Sequence, residues 1–372
     1  MNIKEIRVSG YKSVADVSLK ELSPYSVFAG PNGSGKSNFV DALTFVGAVI
    51  ESGANSAIRR FNGFSQIHCY KFRAERARRF EFFLAADIKG VNTEYSLKIH
   101  HMDTTPQLEE SLKVDGTLMM KRDQGQPPSI RHTQGSEGFF DIPNYPDEMS
   151  ALMLLADHPL YKYLINIRVF RFDPLGAKMP DESNADASEL NSHGHNVATM
   201  LAALEFKDDI RNQIIDWLEL IVPGMASVST DKQKLSGGTV LRFKEEGTKQ
   251  FFPANLISDG TIYTLCIMTA VFSRAQKIGL TFIEEPERGL HPKAIAQLVD
   301  LMRENAATEH PVFITTHSES VVRASKIDEL WLVNKVDGKT CIKPAAFGQI
   351  DLHGMNLDTA WLTNLFDGGL PW

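Results

Sequence analysis

The 372-residue sequence has little cysteine and lacks a long apolar run. Its three cysteines, Cys69, Cys266 and Cys341, show no regular spacing, which argues against a disulfide framework or a structural zinc site and favours a reducing compartment. The longest apolar run, residues 264–272, is about half of the roughly 20 residues that a membrane span needs. The first residues are charged and alternating, unlike a signal peptide. We therefore expect a cytoplasmic protein without a membrane anchor.

A positive overall charge is also lacking, since the formal net charge is −7. This excludes a protein that coats nucleic acid through its total charge, although a local basic patch is compatible with it. The densest basic run, residues 71–80, is either a solvated edge beside a strand or a contact for phosphate or nucleic acid. Hydrophobic residues make up 43% of the chain, so a soluble protein with a sizeable core is expected.

The clearest motif is GPNGSGKS at residues 30–37, which fits G-x-x-x-x-G-K-S between an apolar strand pattern and a helical pattern. Glycines let consecutive backbone N–H groups face phosphates, and the following helix N-terminus adds positive potential. We predict that Lys36 reaches the β- and γ-phosphates of ATP and that the Ser37 hydroxyl binds Mg²⁺. The predicted ATP-binding residues of this loop are Gly30, Pro31, Asn32, Gly33, Ser34, Gly35, Lys36, Ser37 and Asn38.

Two acidic residues, Glu284 and Glu285, follow the apolar strand pattern LTFI. Carboxylates at the carboxyl end of a parallel strand point into a ligand crevice, so we predict that Glu284 holds Mg²⁺ and Glu285 polarises the attacking water. The alternative is a solvated pair of charges at a strand end. His317 follows the next apolar strand, where it either senses the γ-phosphate or is a structural histidine.

Two segments compete for a further nucleotide contact. Residues 235–238 read LSGG and resemble the signature loop that ABC-type ATPases press onto the ATP of a partner subunit. Such a loop must lie at a helix N-terminus, but the alternation after LSGG predicts a strand and a hairpin. The other segment is SDGT, residues 258–261. There Ser258 is a good helix cap, Gly260 permits close approach of a ligand, and apolar residues follow at helical spacing. We therefore predict that Ser258, Asp259 and Gly260 form the signature and that LSGG is a chance match.

Together the motifs resemble ABC-type AAA-family ATPases of the RecF, SMC and OLD kind, on the segments IKEIRVSGYKSVADVSL, GPNGSGKSN, LISDGT, FIEEPERGLHP and TTHS. The likeness spans nearly the whole chain, including the ending AWLTNLFDGGLPW, and is nearest to stand-alone ATPases of bacterial anti-phage defence systems. It implies an α/β, P-loop ABC-type ATPase head with a mixed sheet, an antiparallel β subdomain, a compact helical insertion and no long coiled coil. The expected parts are an N-terminal lobe at 1–100, an insertion at 101–225 and a C-terminal lobe at 226–372.

The resemblance also implies that two heads sandwich two ATPs, as a homodimer or a higher even oligomer in which the signature of one subunit faces the phosphate loop of the other. It makes Lys36, Glu285 and His317 the catalytic residues, with Glu285 as the base. Lys12, in GYKS, matches a basic position near the nucleotide. Gln66, in GFSQIH, is a candidate for the glutamine loop, with a surface glutamine as the alternative.

The function implied by the resemblance is an ATPase that controls a separately encoded effector, such as a nuclease or toxin, in prokaryotic antiviral defence. Nucleic acid is a further candidate partner, and no membrane is expected. The segment after His317 looks too short for the metal-nuclease domain of OLD relatives, so we expect the chain not to cut nucleic acid by itself. The alternatives are a RecF-type repair ATPase, an ATP-gated scaffold and a transporter subunit, the last disfavoured by SDGT and EEPERGLHP.

Overall fold

The computed structural model describes residues 1–131, 138–182, 188–234, 236–345 and 354–366. The described strands form an eight-stranded, a six-stranded and a three-stranded sheet, and strands and helices are numbered along the chain. The helices are α1 (Lys36–Ser52), α2 (Ala54–Arg60), α3 (Phe64–Ile67), α4 (Ala74–Ala77), α5 (Pro159–Ile165), α6 (Pro174–Ala177), α7 (Val197–Glu205), α8 (Asp208–Ile221), α9 (Asp259–Arg274), α10 (Pro292–Glu304), α11 (Glu319–Ala324) and α12 (Leu357–Leu362). Two 3-10 turns span Ala151–Leu155 and Ala254–Leu256.

The eight-stranded sheet is antiparallel and corresponds to the antiparallel β subdomain that the resemblance implies. Its strands are β1 (Asn2–Tyr11), β2 (Val14–Lys20), β4 (Phe80–Ile88), β5 (Val91–His100), β6 (Gln107–Val114), β7 (Thr117–Arg122), β8 (Ser129–Arg131) and β9 (Phe139–Asp141). The segment ESLKVDGTLMMKRDQG predicts a hairpin with Asp115 and Gly116 at its turn, and the pairing of β6 with β7 confirms it, with φ of 48° and 75° at the two residues. The sheet order is β2-β1-β4-β5-β6-β7-β8-β9.

Residues 122–147 are poor in regular pattern and rich in Pro, Gly, Gln and Ser, which predicts a long surface loop. This prediction is wrong, because β8 and β9 lie inside the segment. A buried polar network explains the difference. The Arg122 guanidinium donates to the carbonyls of Pro146 and Met149 at 3.0 and 2.8 Å, so it anchors the far end of the segment against the sheet. Nearby, the buried Glu110 carboxylate accepts from the Ser150 hydroxyl at 2.6 Å. Hydrophobic patterning carries no signal for contacts of this kind.

The six-stranded sheet is mixed and has the order β10-β14-β15-β3-β16-β17. Its strands are β3 (Tyr25–Ala29), β10 (Arg168–Phe170), β14 (Thr281–Glu284), β15 (Val312–Thr316), β16 (Leu330–Val336) and β17 (Lys339–Pro344). All of them run parallel to their neighbours except β17, which closes a hairpin with β16. Every residue of β3 and β15 is buried, as expected for parallel strands covered on both faces. The carboxyl ends of β3, β10, β14 and β15 therefore meet at one edge.

The third sheet contains β11 (Met225–Lys232), β12 (Thr239–Glu245) and β13 (Phe252–Pro253). The described residues form two hydrophobic clusters: one joins the eight-stranded sheet to α1 and α5, and the other surrounds α7, α9 and α10. The predicted insertion at 101–225 contributes β6–β9 to the antiparallel sheet and β10 to the mixed sheet. Its bounds remain a prediction. No helix in the described part of the chain is long and apolar enough to cross a membrane.

Candidate functional site

The phosphate loop connects β3 to α1 and closes around its own lysine. The Lys36 ammonium donates to the carbonyl oxygens of Gly30 and Pro31 at 2.7 and 3.0 Å. Burial lowers the pKa of Lys36, and the nearby carboxylates of Glu285, Glu287 and Glu284 oppose that shift. The ammonium therefore lies inside the loop, within the field of the acidic residues that follow β14.

Two glycines of the loop are required by packing as well as by phosphate access. A Cβ atom at Gly30 would lie 2.0 Å from the carbonyl oxygen of Val333, on β16. A Cβ atom at Gly35, whose φ is 102°, would lie 1.9 Å from the Thr340 hydroxyl oxygen, on β17. The β16–β17 hairpin thus presses directly on the phosphate loop, a contact that the motif itself does not reveal.

A buried network of hydroxyl groups fixes the loop further. The Thr340 hydroxyl lies 3.2 Å from the carbonyl oxygen of Ser34 and 2.7 Å from the hydroxyl of Ser13. The Asn38 amide donates to the Ser13 hydroxyl at 2.6 Å, so the Asn38 side chain supports the loop from behind. Segments from both ends of the chain therefore hold the phosphate loop in place.

The metal edge of the site is formed by Ser37 and Glu284, whose Oγ and Oε2 atoms are 3.3 Å apart. Neighbouring oxygen ligands of an octahedral Mg²⁺, each about 2.1 Å from the ion, lie about 3.0 Å apart. A hydroxyl and a carboxylate are also ligands that Mg²⁺ accepts in proteins. The residues therefore fit the predicted metal.

An arginine that sequence reasoning missed also reaches this edge. The Arg171 guanidinium, just beyond the end of β10, contacts Glu284 Oε1 and Asp41 Oδ1, both at 2.7 Å. Asp41 in turn accepts from the Lys12 ammonium at 2.8 Å. The predicted metal ligand Glu284 is thus oriented by a charge network that runs from β10 through α1 to the turn between β1 and β2.

The predicted base, Glu285, follows β14 with a φ of 50°, in the left-handed region that residues with a Cβ atom rarely adopt. Its N–H donates to the Thr315 carbonyl at 2.8 Å, and its Oε1 atom lies 3.3 Å from Nδ1 of His317. The predicted base and the predicted switch histidine are therefore neighbours. The Glu285 and His317 side chains are 39% and 43% exposed, so a ligand at this edge can reach both.

Glu287 is a second residue that sequence reasoning missed, although it lies in the same EEPE motif. Its side chain is only 8% exposed and accepts from the Thr316 hydroxyl at 2.7 Å and from the His317 N–H at 3.4 Å. Burial raises the pKa of Glu287. Glu287 therefore holds the backbone at Thr316 and His317 in place, while the His317 ring lies beside Glu285.

The predicted signature segment lies at the start of α9, the helix start that the pattern predicts, and its role as a signature remains a prediction. The Ser258 hydroxyl accepts from the N–H of Thr261 at 3.2 Å, and the Asp259 carboxylate pairs with Lys178. The glycine in this segment has a packing reason besides the predicted close approach of a ligand, which remains a prediction: a Cβ atom at Gly260 would lie 2.5 Å from the carbonyl oxygen of Gly289. Gly260 thus permits close packing of α9 on the loop that follows Glu285.

The competing LSGG segment lies in the turn between β11 and β12, as the strand pattern after it predicts. Its described residues, 236–238, precede β12, and no helix begins among them. Leu235 lies outside the described residues, and Gly237 has a φ of 73°. The backbone geometry of a turn therefore accounts for Gly237.

A protein-family model matches residues 26–323, and its description reads "AAA domain, putative AbiEii toxin, Type IV TA system". The chain belongs to this AAA family. The match covers the phosphate loop, the acidic strand end and His317, which the structure brings to one edge of the mixed sheet. A comparison with curated proteins gave no match.

The AAA domain is similar in structure to SMC head domains. The SMC head bound to the C-winged helix domain of ScpA has a TM-score of 0.60 and 16% identity over 92% of this chain and 98% of that one. An SMC head with an extended coiled coil, bound to a ScpA domain and derived from Pyrococcus furiosus, gives 0.54 and 15% over 92% and 96%. The Thermotoga maritima SMC head gives 0.50 and 14% over 92% and 99%. The expected ABC-type head fold is thereby confirmed, and no long coiled coil occurs among the described residues.

The two weaker nucleotide candidates have different places in the AAA domain. Lys12, with a φ of 47°, joins the site through its ion pair with Asp41. Its N–H donates to the carbonyl oxygen of Ile67 at 2.9 Å, which brings α3 beside it. Gln66 lies exposed on α3, and its role as the glutamine-loop residue remains a prediction.

Proposed function

We propose that the chain binds ATP with Mg²⁺ and hydrolyses it to ADP and phosphate. The observation that supports this most is the meeting of three segments, distant in sequence, at one edge of the mixed sheet. They are the phosphate loop with Lys36 and Ser37, the end of β14 with Glu284 and Glu285, and His317 after β15. Together they supply the requirements of phosphoryl transfer: a phosphate cradle, metal ligands and a base that orients water.

The residues divide the reaction between them. When phosphates enter, the Lys36 ammonium exchanges its contacts with the carbonyls of Gly30 and Pro31 for phosphate oxygens. Mg²⁺ held by Ser37 and Glu284 would neutralise charge on the β- and γ-phosphates. Glu285 orients the attacking water and accepts its proton, and His317 hydrogen-bonds the γ-phosphate.

We expect the Lys36→Ala chain to lose at least about 100-fold in ATP turnover, because it removes the positive charge that holds the γ-phosphate. Phosphate release by purified chain, with ATP and Mg²⁺, measures this. Lys113→Ala, at an exposed position of β6, is the matched control and should keep the wild-type rate. Equal loss in both variants, or no turnover in wild type, would contradict the proposal.

The proposed active form is a dimer of two chains around two ATPs. Its support is an exposed apolar surface beside the signature. Leu175 and Met179, which are 66% and 64% exposed, flank Lys178, the partner of Asp259. Leu256, which is 68% exposed, lies just before Ser258. Apolar side chains of this size around a polar helix start are typical of a surface that another protein covers.

The proposed biological role is control of a separately encoded effector in antiviral defence. The description of the family names a toxin of a toxin–antitoxin system, and two of the similar SMC heads are bound to ScpA domains. We place the docking surface on the segment 101–225, where β9 is the last described strand of its sheet and exposes Phe139 and Phe140. A RecF-type repair ATPase remains the alternative.

Nucleic acid is a second candidate partner, favoured by a basic patch. The patch consists of the exposed residues Lys71, Arg73, Arg76, Lys335 and Lys339. The basic run and the β16–β17 hairpin are adjacent, since a Cβ atom at Gly338 would lie 2.5 Å from the Lys71 ammonium. Tyr70 beside the patch is 55% exposed, which offers a surface on which a base can stack.

We expect the double variant Lys71→Glu with Arg76→Glu to bind a fluorescent 30-nucleotide strand at least about tenfold more weakly, because two phosphate contacts become repulsive. Fluorescence anisotropy at two salt concentrations measures this, and the variant should show a smaller salt dependence. Lys113→Glu with Lys121→Glu changes the net charge equally on β6 and β7 and should bind within twofold of wild type. Equal affinity of the two double variants would refute the patch.

A further inference from the structure

The first turn of α9 and the segment after β14 are joined by one buried tyrosine. The Tyr263 hydroxyl lies 3.0 Å from the carbonyl oxygens of both Glu284 and Glu285. The Tyr263 ring is buried, and the edge of one ring meets the face of the other where it packs on Phe172, with centroids 5.9 Å apart. The hydroxyl can donate only one proton, so the two carbonyls share it.

This contact matters because the backbone at Glu285 is in a conformation that does not persist without support. With a φ of 50°, the residue is left-handed, and such residues are retained where neighbouring groups hold them. Three groups hold this one. The Thr315 carbonyl accepts its N–H on one side, and the Tyr263 hydroxyl and the Arg288 N–H both donate to its carbonyl on the other, at 3.0 and 3.2 Å. Tyr263 is the one side chain among the three, and together they determine where the carboxylate points.

We propose that Tyr263 is a positioning residue for hydrolysis, which sets the direction of the Glu285 carboxylate through the peptide backbone. The inference rests on the proposed function, because it assigns no contact between Tyr263 and ATP. It also links two motifs that are separate in sequence: Tyr263 lies on the helix that begins at the signature, and Gly260 packs on Gly289 in the same interface. The signature helix and the base-bearing loop are thus one packed unit.

The variant Tyr263→Phe tests the proposal, because it keeps the buried ring and removes only the hydroxyl. We expect kcat to fall at least tenfold, while the Kd for ATP stays within twofold of wild type. Backbone amides of residues 285–290 should exchange with deuterium faster than in wild type, with or without ATP. Tyr163→Phe is the matched control, because the Tyr163 hydroxyl is buried and makes no hydrogen bond among the described residues.

Three outcomes are informative. A Tyr263→Phe chain with wild-type kcat and unchanged exchange at 285–290 would overturn the inference. So would an equal loss of kcat in Tyr163→Phe, since a general loosening of the core would then explain both. The failure of the proposed function looks different, because in that case the wild-type chain itself would show no ATP turnover.

Discussion

Replacing Glu285 by glutamine is expected to lower ATP turnover by about 100- to 10,000-fold, the usual contribution of a general base, while ATP binding is retained. The amide keeps the size of the side chain and can still hydrogen-bond His317, whose Nδ1 lies 3.3 Å from Glu285 Oε1. It cannot accept a proton from water. Because the phosphate loop and the metal ligands are unchanged, the variant should bind ATP and remain dimeric with it.

Single-turnover phosphate release and size-exclusion chromatography with ATP and Mg²⁺ measure the two halves of this expectation. Glu304→Gln, at the exposed end of α10, makes the same chemical change away from the site and should hydrolyse ATP as wild type does. Wild-type turnover by Glu285→Gln would show that the base is another residue. Loss of ATP binding would instead show that Glu285 helps to hold the nucleotide.

The second large effect is expected at the predicted signature. Ser258→Arg should abolish turnover, because in the proposed dimer a long cation at the start of α9 would block the approach of the ATP bound to the other chain, and it adds positive charge to the positive end of a helix. The substitution also removes the cap on Thr261, which costs about 1 kcal/mol. Ser258→Ala removes the cap alone, so it separates the two effects and should keep most of the activity.

Substitutions in the LSGG turn are expected to have little effect on ATP turnover. Gly237→Ala with Gly238→Ala should leave turnover within a few-fold of wild type, although alanine at the Gly237 φ of 73° costs roughly 1 kcal/mol of stability. Turnover assays on the three variants decide between the segments. Loss in the double alanine variant, with wild-type activity in Ser258→Arg, would return the signature to residues 235–238.

Local pattern predicts much of this fold, because a phosphate loop, a cap and an apolar strand are each encoded within about ten residues. The start of α9 after Ser258 and the strand that ends at Glu284 are both found where the pattern places them. The same reasoning distinguished the helix start at SDGT from the hairpin turn at LSGG. Each of these features depends on neighbours in sequence.

The features that were missed depend on neighbours in space. Arg171 reaches Glu284 across 113 positions, and Thr340 reaches Ser34 across 306. An arginine after a short strand or a threonine in a hairpin carries no periodic signal of such a partner. The candidate Gln66 shows the same limit, because an exposed glutamine in a short helix has no pattern that separates a ligand contact from a surface position.

The position of β3 also has a consequence for how the protein is made. The strand that carries the phosphate loop lies between β15 and β16, and the loop rests on β17. More than 300 residues separate the loop from Thr340 on β17, so its supports do not exist until those residues have been made. The ribosome adds about 5–20 residues per second, which sets the length of that delay. A nascent chain therefore carries the whole GPNGSGKS motif long before it carries a nucleotide site. ATP can therefore stabilise only a chain that has reached β17. A chain that ends before β16 lacks the strands that hold the phosphate loop, so nucleotide cannot stabilise it.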